Sequence, residues 1–517
     1  MATLPFSLRC TAARFPDKEA VLGGNFSLTY SELDAEVDRT AHALSAHGLV
    51  HGDRVALMLG NSERFIVTLY AALRIGAIVL PVNPASAPPE IEYLLEDSGA
   101  RVFVYDPALA AAVTPVLGSP PLSLKTALSL GEHICEAAVG QGDLLAESAR
   151  FEAIPWETTA EAQDVQEDDD ALILYTSGTT GKPKGALFDH HRVMWTGMNS
   201  ALISGMREFD VCLHVAPLYH AAQLCIMLLP GVHIGIRHVV MSSFDPVEAI
   251  KVMEREKVSI FFGVPTMYQF MLRTSLLSTA DLGAWRTGMF GAAPMSATVV
   301  ERLSQALPDV ELMQLCGQTE AGPGGIYCNG EQVKERPDSS GRQALPLTEV
   351  RVVDPNGDKA EPGTVGELVL RGETVMKKYW GKPKATSEAI RDGWLHTGDL
   401  ARLDADGYMT VVDRMKDLII TGGRNVYSVE VENALLAHPQ IVEAAVVGRP
   451  HEDYGESIIA IVTTTEGSSL DSETIRDHCR EHVATYKVPH EVRISTDIPR
   501  NPSGKILKHQ LRTAVSE

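Results

Sequence analysis

The chain has 517 residues, of which 45% are hydrophobic and 22% charged, a composition typical of folded globular proteins and not of disordered ones. A chain of this length is expected to form several packed units instead of one core. The formal net charge of -22 argues against nonspecific binding to nucleic acid or to an anionic membrane surface, since both need a basic face.

Cysteine usage and hydropathy indicate a cytoplasmic protein. The seven cysteines include no CxxC pair, so we expect neither a disulfide framework nor a zinc site. The first residues lack the basic segment and the apolar core of a signal peptide. The longest apolar stretch, 221–236, is interrupted by polar residues and proline and is shorter than the roughly 20 residues of a membrane span. We therefore expect no transmembrane segment and at most peripheral membrane contact.

The first elements along the chain alternate between strand and helix. Ser31 and Asp34 resemble a capping box for a helix that ends at Gly48. Strands are predicted at 55–59 and 78–80, with a helix between them from Ser62 to a stop at Gly76. The same alternation returns at 239–240, 246–256, 259–262 and 296–306. This pattern predicts a large α/β body with several subdomains.

The pattern of predicted secondary structure changes twice in the second half of the chain. From about Gln343, short β runs such as 350–353 and 367–370 are separated by Pro/Gly/Asn turns, which predicts a small β subdomain. After Arg414 we expect a helix at 429–437 capped by Ser428, strands at 444–447 and 458–462, and a helix at 472–482. We therefore predict an N-terminal domain, 1–413, followed by a small mobile α+β C-terminal lid, 414–517.

The stretch from Tyr175 to Gly185 favours phosphate binding. It follows an apolar run and contains four Ser or Thr residues, three glycines and two lysines in eleven residues. Glycine lets backbone N–H groups approach an anion, while hydroxyl and ammonium groups add hydrogen bonds and charge. The alternative is an ordinary solvated turn. The Walker pattern fails, because Lys182 is followed by Pro183 where a Ser or Thr would reach magnesium.

Six further motifs occur in a fixed order along the chain: Pro217–His220, Gly291–Pro294, Gly317–Glu320, Thr397–Asp399, Asp413–Asp417 and Pro502–Lys505. Together with the glycine-rich loop they resemble those of the adenylate-forming superfamily, which includes acyl-CoA and aryl-CoA synthetases, luciferases and peptide-synthetase adenylation domains. The resemblance implies attack of a small carboxylic acid on the α-phosphate of ATP, then transfer of the acyl group to coenzyme A, with AMP and pyrophosphate released. ATP, Mg²⁺ and coenzyme A are the implied cofactors.

The resemblance also implies roles for individual residues. Glu320 would hold Mg²⁺ and Thr319 would donate to phosphate, although Glu320 could instead merely cap a turn. Asp399 would accept the ribose hydroxyls, with Arg414 donating, unless Asp399 is a plain turn residue. The residues implied in nucleotide or coenzyme A binding are Thr176, Ser177, Gly178, Thr179, Thr180, Gly181, Lys182, Lys184, Gly291, Ala292, Ala293, Pro294, Leu315, Cys316, Gly317, Asp399, Arg414, Gly422 and Gly423.

Two lysines are expected to be essential for the function of the lid. Lys505 would be the catalytic cation that touches both the acid and the α-phosphate, whereas a lone lysine near a C-terminus is ordinarily a solvated surface group. Lys416 would be the hinge about which the lid turns between the two half-reactions. After that rotation Gly422 and Gly423 would face the active site and leave room for the pantetheine arm.

The acid site is only weakly specified by the sequence. His220 would line the acyl tunnel as a gate, or it could be a core histidine. The other residues expected near the acid are Met198, Ala222, Met289, Phe290, Gly291, Leu315, Cys316 and Gly322. Many relatives have an aromatic residue where Cys316 stands, so adenine stacking would be weaker here.

A medium- or long-chain fatty acid is the expected substrate. No basic residue among the candidate pocket positions would pair with a second carboxylate, and Gly322, Gly324 and Gly325 would keep the tunnel wide. An aryl acid, or loading of a carrier protein in place of coenzyme A, remains open. A monomer or a homodimer is expected.

Overall fold

The computed structural model describes residues 2–24, 26–132, 137–176, 182–293, 295–465, 467–500 and 506–516. Its helices are α1 (Leu4–Arg14), α2 (Tyr30–Ala46), α3 (Glu63–Ile75), α4 (Pro88–Ser98), α5 (Ala110–Gly118), α6 (Leu144–Ser148), α7 (His190–Ser204), α8 (Leu229–Ile234), α9 (Pro246–Glu256), α10 (Pro265–Leu272), α11 (Ala297–Ala306), α12 (Gly330–Glu335), α13 (Pro383–Ala389), α14 (Ser428–Leu436), α15 (Ser472–His482) and α16 (Lys508–Ser516).

The strands of the N-terminal body are β1 (Glu19–Gly23), β2 (Phe26–Thr29), β3 (Arg54–Met58), β4 (Ile78–Pro81), β5 (Val102–Tyr105), β6 (Thr126–Ser129), β7 (Gly140–Asp143), β8 (Asp170–Thr176), β9 (Lys184–Asp189), β10 (Val211–His214), β11 (Arg237–Val240), β12 (Ile260–Gly263), β13 (Thr287–Gly291), β14 (Glu311–Gly317), β15 (Gly325–Cys328) and β16 (Gln343–Ala344). The remaining strands are β17 (Thr348–Val353), β18 (Val365–Gly372), β19 (Lys378–Tyr379), β20 (Ile390–Arg391), β21 (Trp394–Leu403), β22 (Met409–Arg414), β23 (Ile419–Thr421), β24 (Arg424–Val426), β25 (Ile441–His451), β26 (Gly455–Thr464) and β27 (Glu491–Ile494).

Two large, mainly parallel sheets form the body. One has the order β16-β15-β14-β13-β12-β10-β11-β1-β2, and the other has the order β19-β9-β8-β4-β3-β5-β6-β7. A continuous apolar core joins helices α1, α2 and α3 to residues of both sheets, including Val21, Val55, Leu172 and Val240. The predicted α/β body is confirmed.

Helix α3 illustrates how local sequence sets an element. The Ser62 hydroxyl accepts a hydrogen bond from the Phe65 amide at 3.2 Å, which satisfies one of the free amides of the first turn. Gly76 ends the helix in the left-handed region at φ +86°, a conformation that glycine adopts without strain. Both ends therefore lie where the sequence predicts them.

The predicted caps of two other helices are wrong. Helix α2 begins at Tyr30, and its capping box is formed by Thr29 and Glu32, because the same spacing of a hydroxyl and an acidic residue also occurs two residues before the position predicted. In the C-terminal part, α14 begins at Ser428, whose hydroxyl donates to the carboxylate of Asp413 at 3.0 Å and caps no amide. Tertiary contacts therefore override the local cap signal there.

A small β unit and a C-terminal α+β unit follow the body. The first is the sheet β17-β18-β21-β20, with β22 paired to β21; the second is β24-β23-β26-β25, with β27 parallel to β26. Strand β22 ends at Arg414, beside the predicted boundary between domains. That boundary and the mobility of the lid remain predictions. Among the described residues, no helix has both the length and the apolar character that a membrane crossing needs.

Candidate active site

Three of the motifs follow neighbouring strands of one sheet. Strands β10, β13 and β14 are parallel to one another through β12, and the motifs that begin at Pro217, Gly291 and Gly317 lie at their carboxyl ends. The carboxyl edge of a parallel sheet is the usual place for a ligand in an open α/β fold. The glycine-rich loop connects β8 to β9 of the other sheet; its residues Ser177, Gly178, Thr179, Thr180 and Gly181 lie outside the described ranges.

Glu320 links the β8–β9 loop to the end of β14. It lies in a short 3₁₀ turn, Thr319–Ala321, and only 9% of its surface is exposed. One carboxylate oxygen, Oε1, accepts hydrogen bonds from the Thr176 hydroxyl at 3.0 Å and from the Tyr379 hydroxyl at 2.9 Å. Burial, and then the charge of Glu320, raises the pKa of Tyr379, so that its hydroxyl stays protonated and donates.

The two lysines of the β8–β9 loop each lie over a tyrosine ring. Lys184 Nζ is 4.9 Å from the centroid of Tyr379, and Lys182 Nζ is 4.7 Å from the centroid of Tyr93. An ammonium group at this distance is attracted by the negative face of the ring. Both cations are thus held beside the loop by aromatic residues that the sequence did not single out.

Asp399 and Arg414 form a pair at the edge of the small β unit. They are opposite each other on β21 and β22, and Arg414 Nε lies 3.1 Å from Asp399 Oδ1. The Asp399 amide donates to the Thr397 hydroxyl at 3.0 Å, which fixes the turn of that motif. Burial raises the pKa of the Cys316 thiol to about 12, and the charges of Asp399 and Arg414 also act on it. The three predicted nucleotide residues are therefore close together, and Cys316 stays a neutral thiol.

Glycine is needed at the ends of β13 and β14 because another backbone segment approaches each of these positions closely. A Cβ on Gly291 would lie 2.3 Å from the Leu315 carbonyl oxygen, and a Cβ on Gly317 would lie 2.1 Å from the Gly324 carbonyl oxygen. Ala292 has φ +66°, an uncommon conformation for a residue with a side chain. Backbone strain of this kind is found preferentially at functional sites. Ala293 is exposed beside it, whereas Pro294 lies outside the described ranges.

A small apolar cavity lies beside Leu315 and Cys316. Its other walls come from Thr196, Ser200 and Ile203 on α7, from Ile226, from 323–326 and from Leu345. The hydroxyls of Thr196 and Ser200 donate to the carbonyl oxygens of Arg192 and Ile226 at 3.0 and 2.7 Å. Because these polar groups bond to backbone, the cavity presents a mainly apolar surface.

Of the residues predicted for the acid site, Leu315 and Cys316 line this cavity, whereas Met198, His220, Ala222, Met289, Phe290, Gly291 and Gly322 do not. Phe290 packs on the opposite face of β13 against Tyr268, since successive side chains of a strand point to opposite faces. Met198 is 39% exposed on the outer face of α7. A Cβ on Gly322 would lie 2.4 Å from the Thr374 carbonyl oxygen and 2.7 Å from Thr196 Oγ1, so Gly322 allows close packing behind the wall. Met289 does lie on the cavity side, fully buried in the cluster that contains Leu315.

His220 lies two residues before a π-helical segment, Ala222–Leu228, of which Ile226 contacts the cavity. Its ring is 4.9 Å from that of Tyr219. Burial lowers the pKa of His220 to about 4, so the ring is neutral near pH 7. A gating role for this neutral ring remains a prediction.

An ion pair beside the predicted hinge connects it to the last helix, α16. Desolvation lowers the pKa of Lys416, although its side chain is exposed at the surface. Its neighbour Asp417 pairs with Arg512 of α16 at 2.5 Å. Gly422 and Gly423 form the tight turn between β23 and β24, with φ values of +54° and +71°. Lys505 lies outside the described ranges.

Tyr93, Asp97 and Tyr379 are site residues that sequence reasoning missed. No local motif marks them. Tyr379 reaches the site because β19 pairs with β9, and the α4 residues reach it because β4, which precedes that helix, pairs with β8. Only the tertiary pairing of distant segments reveals them.

Comparison with known proteins identifies the family. The model of the AMP-binding enzymes matches residues 8–380, and that of the AMP-binding enzyme C-terminal domain matches residues 430–505. The chain belongs to the AMP-binding enzymes. The predicted membership of the adenylate-forming superfamily, and of its acyl-CoA synthetase type, is confirmed.

Two curated relatives match along nearly the whole chain. Feruloyl-CoA synthase of Amycolatopsis sp is 38% identical over 498 residues, covering 96% of each protein. Long-chain-fatty-acid--CoA ligase FadD13 of Mycobacterium tuberculosis is 32% identical over 523 residues, covering 100% of this chain and 99% of the relative. This AMP-binding enzyme is accordingly an AMP-forming acid:CoA ligase.

Solved structures agree with this assignment. The anthranilate CoA ligase AuaEII in complex with anthranoyl-AMP has a TM-score of 0.90 at 26% identity, covering 99% of this chain and 97% of that one. ATP-bound MatB from Rhodopseudomonas palustris has a TM-score of 0.88 at 30% identity, covering 99% of both chains. ATP and coenzyme A are therefore its co-substrates.

Proposed function

We propose that this AMP-binding enzyme activates an aromatic acid, of the benzoate or cinnamate kind, and transfers it to coenzyme A. The observation that carries the proposal is the small apolar cavity between α7 and β14. Beyond it lie side chains that are at most 2% exposed: Met227, Ile236, Phe262, Met289 and Met313. A flat aromatic ring would displace fewer of these packed side chains than a long alkyl chain, which would need several of them to move.

A medium- or long-chain fatty acid, the substrate expected from the sequence, is the second candidate. The similarity to the long-chain-fatty-acid ligase FadD13 favours it. Three of the five side chains beyond the cavity are methionines, which change rotamer at low energetic cost and could yield to an alkyl chain. The two candidates differ in how far the acid must penetrate into that cluster.

The proposed first half-reaction uses the groups around Glu320. Thr176, Lys182 and Lys184 would hold the phosphates, and the Asp399–Arg414 pair would hold the ribose. Lys505 would orient the acid carboxylate against the α-phosphate and offset the charge that develops there. Attack forms the mixed anhydride and expels pyrophosphate.

Mg²⁺ fits the donor set around Glu320. A buried carboxylate beside the loop offers the hard oxygen that this ion prefers, and Mg²⁺ commonly needs only one or two protein carboxylates besides nucleotide phosphates. Within the described ranges no group of three His, Cys, Asp or Glu residues could hold a metal by itself. When bound, Mg²⁺ would neutralise phosphate charge. Thr176 and Tyr379 would keep Glu320 oriented toward it.

The proposed second half-reaction needs the lid to turn about Lys416. The two glycines of the tight Gly422–Gly423 turn contribute no side chain of their own, so the turn would leave room for the pantetheine arm. The coenzyme A sulfur would then attack the acyl carbon, and AMP would leave. Lys505 would have no role in this step.

A substrate panel tests the proposal. Purified enzyme is given ATP, Mg²⁺ and coenzyme A with benzoic and cinnamic acids and with straight-chain acids of two to sixteen carbons, and thioester and AMP are measured by mass. We expect the aromatic acids to have the highest kcat/KM. A preference for dodecanoate or hexadecanoate would establish the fatty-acid alternative. If a thioester formed only when a phosphopantetheinylated carrier protein was supplied in place of coenzyme A, the carrier protein would be the acceptor.

A further inference from the structure

Helix α4 carries two side chains that contact opposite ends of the β8–β9 loop. Tyr93 and Asp97 are four residues apart, so both project from one face of the helix. The Asp97 carboxylate accepts a hydrogen bond from the hydroxyl of Tyr175, near the end of β8, at 2.7 Å. The Tyr93 hydroxyl donates to the carbonyl oxygen of Pro183, directly before β9, at 2.8 Å.

The same two residues also hold charged groups beside the loop. Lys182 Nζ lies 4.7 Å from the Tyr93 ring centroid. The side chain of Asp97 is 8% exposed and forms an ion pair with Lys382, three residues beyond Tyr379. Asp97 therefore connects β8 to the segment that carries the Glu320 partner, Tyr379.

These contacts form a clamp that fixes where the β8–β9 loop starts and ends. Tyr175 and Gly185 are opposite each other in the β8–β9 ladder, and the rings of Tyr93 and Tyr175 pack edge to face with centroids 6.5 Å apart. Hydrogen bonds at both ends oppose sideways displacement of the loop. The ring of Tyr93 limits where the Lys182 ammonium can lie before a phosphate is present.

We propose that Tyr93 and Asp97 are positioning residues for ATP, which hold the two ends of the β8–β9 loop at Pro183 and Tyr175 and keep Lys182 on the Tyr93 ring until the triphosphate arrives. This inference rests on the proposed role of the loop in gripping the phosphates beyond the α-phosphate. It follows that Tyr93 and Asp97 contribute to the binding of ATP and pyrophosphate. They contribute little to the binding of AMP or of an acyl-adenylate, which lack those phosphates.

Three variants separate the parts of the clamp. Tyr93→Phe removes the hydrogen bond to Pro183 and keeps the ring, Tyr93→Leu removes both, and Asp97→Asn removes the charge that pairs with Lys382. Matched controls lie at the far end of the β21–β22 hairpin: Tyr408→Phe removes a 2.6 Å hydrogen bond to Glu335, and Asp404→Asn removes a 2.7 Å pair with Arg336.

The measurements are the KM for ATP in acid-dependent pyrophosphate release, the rate of thioester formation from supplied acyl-adenylate, and the affinities for ATP and AMP by titration calorimetry. One neutral hydrogen bond corresponds to about a threefold to tenfold effect. We expect Tyr93→Phe to weaken ATP binding by that factor and Tyr93→Leu by more. AMP affinity and thioester formation should stay within about twofold of wild type, and both controls should resemble wild type.

Two results would overturn the inference. One is unchanged ATP affinity in Tyr93→Leu and Asp97→Asn. The other is an equal loss for ATP, AMP and thioester formation, which would indicate only a structural role. Failure of the proposed function looks different, because wild type would then prefer straight-chain acids to aromatic acids in the substrate panel, or would release no pyrophosphate with any acid. The ATP and AMP titrations do not depend on turnover and still decide the inference in that case.

Discussion

Removing the Tyr379 hydroxyl tests how the predicted Mg²⁺ carboxylate is held. Glu320 is buried, and its Oε1 accepts hydrogen bonds from Tyr379 at 2.9 Å and from Thr176 at 3.0 Å. Tyr379→Phe deletes one of these bonds and retains the ring beneath Lys184, 4.9 Å away. The substitution therefore changes the orientation of Glu320 with little change in packing.

The expected size follows from the kind of bond that is lost. A hydrogen bond to a charged group contributes about 1.5–3 kcal/mol, which corresponds to roughly a tenfold to hundredfold change. Since Glu320 keeps its bond from Thr176, we expect the lower part of that range. In Tyr379→Phe, kcat/KM for ATP in pyrophosphate release should fall about tenfold, and the Mg²⁺ concentration for half-maximal rate should rise.

The assay follows acid-dependent pyrophosphate release over a Mg²⁺ series, with thioester formation from supplied acyl-adenylate measured in parallel. Tyr408→Phe is the control, because it removes a tyrosine–carboxylate bond away from the site. An unchanged Mg²⁺ dependence and an unchanged kcat/KM in Tyr379→Phe would refute the idea that this bond orients Glu320. An equal loss in both half-reactions would point to general damage.

Three further predictions concern the strand ends, the pH dependence and the lid. Gly317→Ala places a Cβ 2.1 Å from the Gly324 carbonyl oxygen and should cost about 1–3 kcal/mol of strain and most of the adenylation rate; Gly118→Ala, with open space around its Cβ, should be neutral in the same assay. Burial lowers the pKa of His190 to about 4 and that of His214 to about 3, so the unfolded chain binds protons below about pH 6.5 that the native state does not. The contribution of these histidines to the free energy of unfolding should be fully present above that pH and should fall by about 2 kcal/mol for each of them at pH 5, as measured by urea unfolding. An equal free energy of unfolding at pH 5 and pH 7 would contradict this. Lys505→Ala should lose about 10²- to 10³-fold in adenylation and keep much of its thioester formation from supplied acyl-adenylate, and equal loss of both would exclude the assigned role.

The bounds of a helix were predictable where the local sequence allows only one start and one end. Helix α3, with Ser62 before it and Gly76 after it, and helix α9, whose bounds agree with the prediction, are such cases. The caps at α2 and α14 were wrong for two different reasons. At α2 the same spacing fits two registers, and at α14 the Ser428 hydroxyl is taken by Asp413, which is distant in sequence.

The candidate site was predictable in its motifs and not in what surrounds them. Phe290 and Met198 are apolar like the residues that line the cavity, and only the alternation of β13 and the packing of α7 exclude them. Tyr379 contacts Glu320 at a sequence separation of 59, and Asp97 contacts Tyr175 at a separation of 78, so no short motif can contain either pair. The roles assigned to Lys505 and to residues 177–181 remain predictions, because these residues lie outside the described ranges.

Isotope transfer tests the central claim most directly. The acid is labelled with ¹⁸O in its carboxylate, converted to thioester with unlabelled ATP and coenzyme A, and the AMP and pyrophosphate are analysed by mass. If the carboxylate attacks the α-phosphorus, AMP carries one ¹⁸O atom from the acid and pyrophosphate carries none. Formation of ADP, or label in the inorganic phosphate products with unlabelled AMP, would contradict the account.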